Sequence, residues 1–319
     1  VSGIVSGIMS GPIFDCIAVV DWSASATPKT GADSIWIAVL DVAGVAGDGA
    51  LTVTNPSTRR AALESMAVLA VPGRRTLLGV DFSLGYPVGT TAASGLGGRG
   101  GSGGMAWEAM WSHLGASIVD DERNHNHRFA VASGLNAVMG DGPGPFWGCP
   151  PSKAGAELTS TKPDRQDVWP DEWRLTESRL RSIGHRPFSA WQLLGAGAVG
   201  GQSLVGIAAL DRLRLNLGRR MAIWPFTTGL QMDFHAGAAG TASEAEIVVA
   251  EVWPSLWEVV APVGVVKDAA QVESAARRLA AFDASGELAQ LLRPELDADV
   301  AAVVTEEEGW LLGVSGDSS

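Results

Sequence analysis

The sequence is poor in cysteine, lysine and histidine, and it has no long apolar run. Cys16 and Cys149 are the only cysteines among 319 residues. Two scattered thiols argue against a disulfide framework and read as reduced residues of a cytoplasmic protein. No stretch reaches 18 consecutive apolar residues, so no membrane span is predicted. Basic charge is also short: 23 Lys and Arg stand against 35 Asp and Glu, a formal net charge of -12. Such a chain is a poor general binder of nucleic acid, because phosphate contacts need clustered Lys and Arg. A local basic groove stays open. The opening stretch Val1–Met9 has no basic start and no long apolar region, which argues against a signal peptide. Met9 reads as another possible start, and residues 1–11 are expected to be disordered.

What is present is a globular composition, 46% hydrophobic and 18% charged, with 40 glycines. It suits one domain over 12–319. Three apolar runs each deliver one acid: Cys16-Ile-Ala-Val-Val-Asp21, Leu77-Leu-Gly-Val-Asp81 and Ile247-Val-Val-Ala-Glu251. Each reads as a buried strand with a carboxylate near its end. One strand-end Asp is ordinarily a turn cap. Three in similar context point further, because an unpaired buried carboxylate is costly. If the strands are neighbours, the acids converge, and converging carboxylates hold a hard divalent cation.

In order, strand 1 (about 17–22), strand 2 (34–41) and strand 3 (51–54) form an antiparallel meander. A helix over 59–69, with Ser57 or Thr58 as its N-cap, leads to strand 4 (76–81) as a parallel neighbour. Residues 90–104, nearly all Gly, Ser, Thr and Ala, read as a flexible loop. The middle of the chain, 91–244, reads as a mostly helical insertion between strands 4 and 5, with helical pieces at 105–113, 169–183 and 203–213. Residues 221–226 read as a further strand. Strand 5 spans 246–252, and the clearest helix, 268–282, has Asp268 in its first turn. The expected fold class is therefore α/β: a mixed sheet made of the meander and parallel strands 4 and 5, with strand 1 central between strands 2 and 4.

That order matches a ribonuclease H-like fold, and the sequence resembles DUF429, a family of predicted ribonuclease H-like nucleases. The matching pieces are Val20-Asp21-Trp-Ser23, Gly79-Val-Asp81-Phe-Ser83-Leu-Gly-Tyr-Pro87, Arg174-Leu-Thr-Glu177, Trp224-Pro-Phe226, Glu251-Val-Trp-Pro254, Lys267-Asp268-Ala-Ala270 and Glu308-Gly-Trp310. The resemblance implies a catalytic and metal-binding cluster of Asp21, Asp81, Glu251 and Asp268 holding Mg2+ or Mn2+. It implies a metal-dependent phosphodiesterase acting on a nucleic acid or nucleotide. Ser23, Ser83, Arg174 and Glu177, from the same motifs, are candidate substrate-binding residues. The alternative is a non-nuclease protein on the same fold, binding a small molecule or serving cofactor metabolism. Relatives have carried the label molybdopterin-guanine-dinucleotide synthesis, but the Gly-rich nucleotidyltransferase loop is missing after strand 1.

Other side chains have two readings each. Arg174 and Glu177 form either an intrahelical pair or a phosphate-orienting pair. Arg212, Arg214, Arg219 and Arg220 either line a nucleic-acid groove or mark a solvated helix end. His125 and His127 either face one metal or sit on a surface loop. The tryptophans either stack bases or fill the core.

Overall fold

A computed structural model describes residues 11–42, 50–97, 104–195, 197–230, 245–257, 259 and 261–316. Six strands make one mixed sheet: β1 (Cys16–Asp21), β2 (Trp36–Asp41), β3 (Leu51–Thr54), β4 (Thr76–Val80), β5 (Met221–Ile223) and β6 (Ile247–Glu251). Their spatial order is β3-β2-β1-β4-β6-β5. The meander β1–β2–β3 is antiparallel, while β1, β4, β6 and β5 run parallel. β1 is central between β2 and β4, as the strand order predicts.

The apolar runs of β1, β4 and β6 lack polar alternation because both faces of the sheet are covered. On one face Ala18, Val20, Leu78, Val80, Ile247 and Val249 join a core shared with α3 (Ala106–Ser117) and α6 (Gly200–Leu217). On the other, Ile17, Val19, Leu77, Val248 and Ala250 pack with α7 (Lys267–Ser285) and the C-terminal segment. The α7 stripe of Ala269, Val272, Ala276 and Leu279 is buried, which is the amphipathic spacing of its sequence. Gly286, at φ 80°, ends that helix in the left-handed conformation.

The insertion contains α2 (Thr90–Ala93), α3, α4 (Arg128–Met139), α5 (Leu175–Ser182) and α6, and its last part supplies the edge strand β5. Four expectations change. The stretch from Thr90 is not all loop: Thr90–Ala93 makes a helical turn, while 98–103 lie outside the described residues. The helix expected over 169–183 covers only Leu175–Ser182. A helix forms at Arg128–Met139 where none was expected. The helix expected from residue 203 starts three residues earlier, at Gly200, and runs to Leu217 as α6. That helix is buried nearly all round, and its small residues permit it: a Cβ on Gly206 would lie 2.5 Å from the Phe82 ring. The expected disorder of residues 1–11 concerns a stretch of which only Gly11 is described. Among the described residues, no helix is long and apolar enough to cross a membrane. Both cysteines are free and buried.

Candidate active site

Strand register decides which acids meet. Val20 pairs with Val80 across β1 and β4, and the Asp81 N–H donates to the Val20 carbonyl at 3.2 Å. The next step sets Asp21 beside Asp81 at the C-terminal ends of two adjacent parallel strands. The pleat turns both toward the α7 face, the face of Ile17, Val19 and Leu77. Their carboxyl groups are hydrogen-bonded to each other. The Trp22 N–H donates to Asp81 Oδ1 at 2.8 Å and fixes its orientation.

A carboxyl–carboxyl hydrogen bond needs one proton. Burial pushes the Asp21 carboxyl up from 3.8 to about 7, and the negative charges of Asp268 and Asp33 push the same way. Asp81 is held well above the usual carboxylate range, first by burial and then by the Asp21 charge. Without a cation, the pair shares a proton at neutral pH.

Asp268 sits in the first turn of α7 and accepts the Asp33 N–H at 2.7 Å. Asp33 was not singled out by the sequence. Its φ of 53° marks a turn that carries it back over the strand ends. Asp21, Ser23, Lys29, Asp33, Arg128, Gln202 and Asp268 line a cleft of about 380 Å³. The Gln202 amide donates to the Trp22 carbonyl at 2.5 Å, tying the start of α6 to the end of β1. The turn after Asp21 is held from below by Arg59, another residue the sequence did not flag. Its guanidinium donates to the Ser23 and Ser25 carbonyls at 2.9 and 2.7 Å and pairs with Asp120 at 2.6 Å.

Glu251 does not join this group. It pairs in register with Val80, not with Asp81, so the pleat sends it to the opposite face of the sheet. There Arg174, 1% exposed, donates to both of its oxygens at 2.7 and 2.6 Å. The Leu84 N–H donates to Glu251 Oε2 at 3.1 Å. Burial raises the Glu251 carboxyl, and the guanidinium pulls against that rise. Arg174 also pairs with Glu177 and donates to the Glu308 carbonyl at 2.9 Å. Glu177 in turn accepts the Arg174 N–H at 3.0 Å, the reciprocal half of a capping box. This buried network joins α5, β6 and the C-terminal segment. Asp81, Ser83, Glu177 and Glu251 border a second cleft of about 300 Å³, adjacent to the first through Gly195, Ala198 and Gln202.

A hard divalent cation can be held by one or two carboxylates completed by water and substrate oxygens. The Asp21–Asp81 pair fits that role. The larger arrangement does not form: among the described residues, no three His, Cys, Asp or Glu side chains are grouped to hold a metal. His125 is exposed and hydrogen-bonds Asp121 at 2.9 Å, so the surface-loop reading stands for it.

The arginines near the end of α6 lie elsewhere. Arg212 donates to the Gly115 carbonyl at 3.0 Å and Arg214 pairs with Glu108 and Asp211. Arg220 pairs with Glu246 at the N-terminal ends of β5 and β6, the end of the sheet away from Asp21. Gln202 and Arg214 are about 18 Å apart along the helix at ~1.5 Å per residue. The tryptophans Trp22, Trp107, Trp111 and Trp224 are core residues. Compared with protein-family models, curated proteins and solved structures, the chain finds no match.

Proposed function

We propose that this protein is a metal-dependent phosphoester hydrolase of the ribonuclease H-like kind and a relative of the DUF429 proteins. One observation carries the reading: Asp21 and Asp81 stand side by side at the C-terminal ends of neighbouring parallel strands, where Asp21 lines one polar cleft and Asp81 the adjoining one. The sheet order supports it, with a three-stranded meander followed by parallel strands on the far side of β1. Mg2+ or Mn2+ is the cofactor such a pair suits, and the ion supplies polarisation of a phosphoryl oxygen and activation of water.

The chain's own groups have separate tasks. Asp21 and Asp81 would hold the ion as an anionic ligand pair once their shared proton has passed to solvent. Trp22 N–H keeps Asp81 in one rotamer. Asp268, held by the Asp33 N–H, adds negative charge beside the pair. Arg128 offers positive charge in the same cleft. Glu251 and Arg174 act as a buried strut, not as ligands. The cleft volume and the outward placement of Arg220 favour a nucleotide-sized phosphoester over a nucleic-acid duplex. The second reading, a binding protein of cofactor metabolism, uses the same cleft without hydrolysis.

The test combines melting with hydrolysis of bis(p-nitrophenyl) phosphate. Mn2+ should raise the melting temperature of the wild type and not of Asp21→Asn, and the variant should lose hydrolysis. Equal shifts in both proteins, or none in either, would remove the metal site. A shift with no hydrolysis of any phosphoester tried would favour the binding protein.

A further inference from the structure

We propose that Arg128 and the first turn of α6 form an oxyanion subsite that takes a phosphoryl group, beside the Asp21–Asp81 pair. The proposal rests on the hydrolase reading for the identity of the anion, while the subsite stands on its own geometry.

Arg128 is the first residue of α4 and is 7% exposed, yet it lines the Asp21 cleft. A guanidinium so deeply placed is ordinarily matched by a carboxylate. Here none pairs with it among the described residues. Its Nη1 donates to the neutral Asn126 amide oxygen at 3.0 Å, and its face lies 4.3 Å from the centre of the Phe129 ring. Its Nε is buried with no hydrogen-bond partner among the described residues. The nearby Asp120 does not serve, because Arg59 holds both of its oxygens. A buried donor left without an acceptor costs about 1–3 kcal/mol, and the guanidinium that carries it lines the cleft without a carboxylate partner among the described residues, which suits an anionic ligand.

The start of α6 stands against the same side chain. A Cβ on Gly201 would sit 2.6 Å from the Leu193 carbonyl oxygen, 3.3 Å from Arg128 Nε and 3.4 Å from the Ala24 methyl. Only a glycine lets the start of the helix pack this closely on Leu193 and the Arg128 guanidinium. The amides of Gly201 and Gln202 precede the first hydrogen bond of the helix, from Ser203 N–H to the Val199 carbonyl at 2.9 Å. α6 has 18 residues, so its dipole adds partial positive charge at this end. An anion there meets helix amides on one side and a planar, forked donor on the other, the geometry that suits phosphate oxygens. Burial and the neighbouring Arg59 charge lower Arg128 to about 10, which still leaves it cationic at neutral pH. Lys29 is a weaker candidate, since it is more exposed and already faces Asp33 at 3.4 Å.

The test is calorimetric titration with inorganic phosphate, in chelator and without metal, at pH 7. The wild type should show one saturable site, which sulfate competes for. Arg128→Gln should weaken it at least tenfold. Ala24→Glu leaves Arg128 in place and puts a carboxylate beside Gly201, and it should do the same even if Arg128→Gln folds poorly. Absence of phosphate binding in the wild type, or wild-type affinity in Ala24→Glu, overturns the subsite. Melting with Mn2+ separates the two ideas. Phosphate binding without a Mn2+ shift keeps the subsite and removes the hydrolase reading. A Mn2+ shift without phosphate binding does the reverse.

Discussion

At the residue scale, the Asp21–Asp81 pair ties stability to pH. Folding raises Asp21 from 3.8 to about 7, so between those values the folded state holds a proton that the unfolded chain releases. Stability therefore falls as pH rises through that window, and the favourable contribution is complete only below about pH 4. Asp21→Asn mimics the protonated acid, because its amide donates to Asp81 without titrating. Its melting temperature should change less between pH 5 and pH 8 than that of the wild type, and it should melt higher at pH 8 in chelator. A parallel pH dependence of the two proteins would mean that the carboxyls do not share a proton. Glu251 calls for the opposite test. Glu251→Gln should keep the Mn2+-induced shift, while Asp81→Asn should lose it, because only Asp81 is in the pair. The strut is another matter: Arg174→Met leaves Glu177 and Glu251 buried without their cation, and urea melts should show a loss of about 3–5 kcal/mol.

These residue roles were only half legible in the sequence. The apolar runs announce three strands and three acids, but not their register. From Cys16 to Asp21 and from Thr76 to Asp81 the strands advance equally from a paired start. β6 starts level with Thr76 at Ile247, and its acid arrives one residue sooner. With a side-chain period of two, that single step moves Glu251 through the sheet. Arg128 and Asp33 left no periodic signal at all. One lies within the polar stretch 120–129 and the other ends a turn, and only the folded chain brings them to Asp21.

At the scale of elements, β1 to β4 and α1 (Arg59–Ala67) were legible to within about two residues, since local pattern and tertiary demand agree there. Thr58 caps α1 by accepting the Ala61 N–H at 3.2 Å, one of the two caps expected. α6 was harder to read because its glycines serve packing, not turns. Gly206 meets Phe82, Gly201 meets the Leu193 carbonyl, and Gly115 of α3 meets the Asp211 carboxylate. A helix packed on several sides needs small residues where neighbours come closest, and in a sequence these look like a loop. Gly206→Ala should therefore destabilise the protein by about 1–3 kcal/mol in denaturant melts, although alanine is the better helix former. A gain in stability would show that propensity outweighs the contact with Phe82.

At the scale of the whole molecule, the decisive feature is where charge lies relative to the acid pair. The chain carries a net charge of -12, and its basic side chains near the end of α6 are spent on carbonyls and carboxylates of neighbouring elements. Arg220 is fixed at the far end of the sheet by Glu246 and donates to the Ala70 carbonyl at 2.6 Å. A duplex reaching Asp21 would meet carboxylates around the cleft and, among the described residues, no continuous cationic track. Affinity from phosphate contacts falls with salt in proportion to the number neutralised. One buried guanidinium and one helix end permit only a shallow dependence. Duplex DNA binding should therefore be absent or barely salt-dependent between 50 and 200 mM salt, an interval that costs proteins with six to ten phosphate contacts roughly 10³–10⁵ in affinity. Hydrolysis of a nucleotide-sized phosphodiester should be unchanged in Arg220→Gln. If instead duplex binding is tight at low salt and Arg220→Gln weakens it, the substrate runs along the opposite end of the sheet. The cleft at Asp21 would then not be where nucleic acid is held.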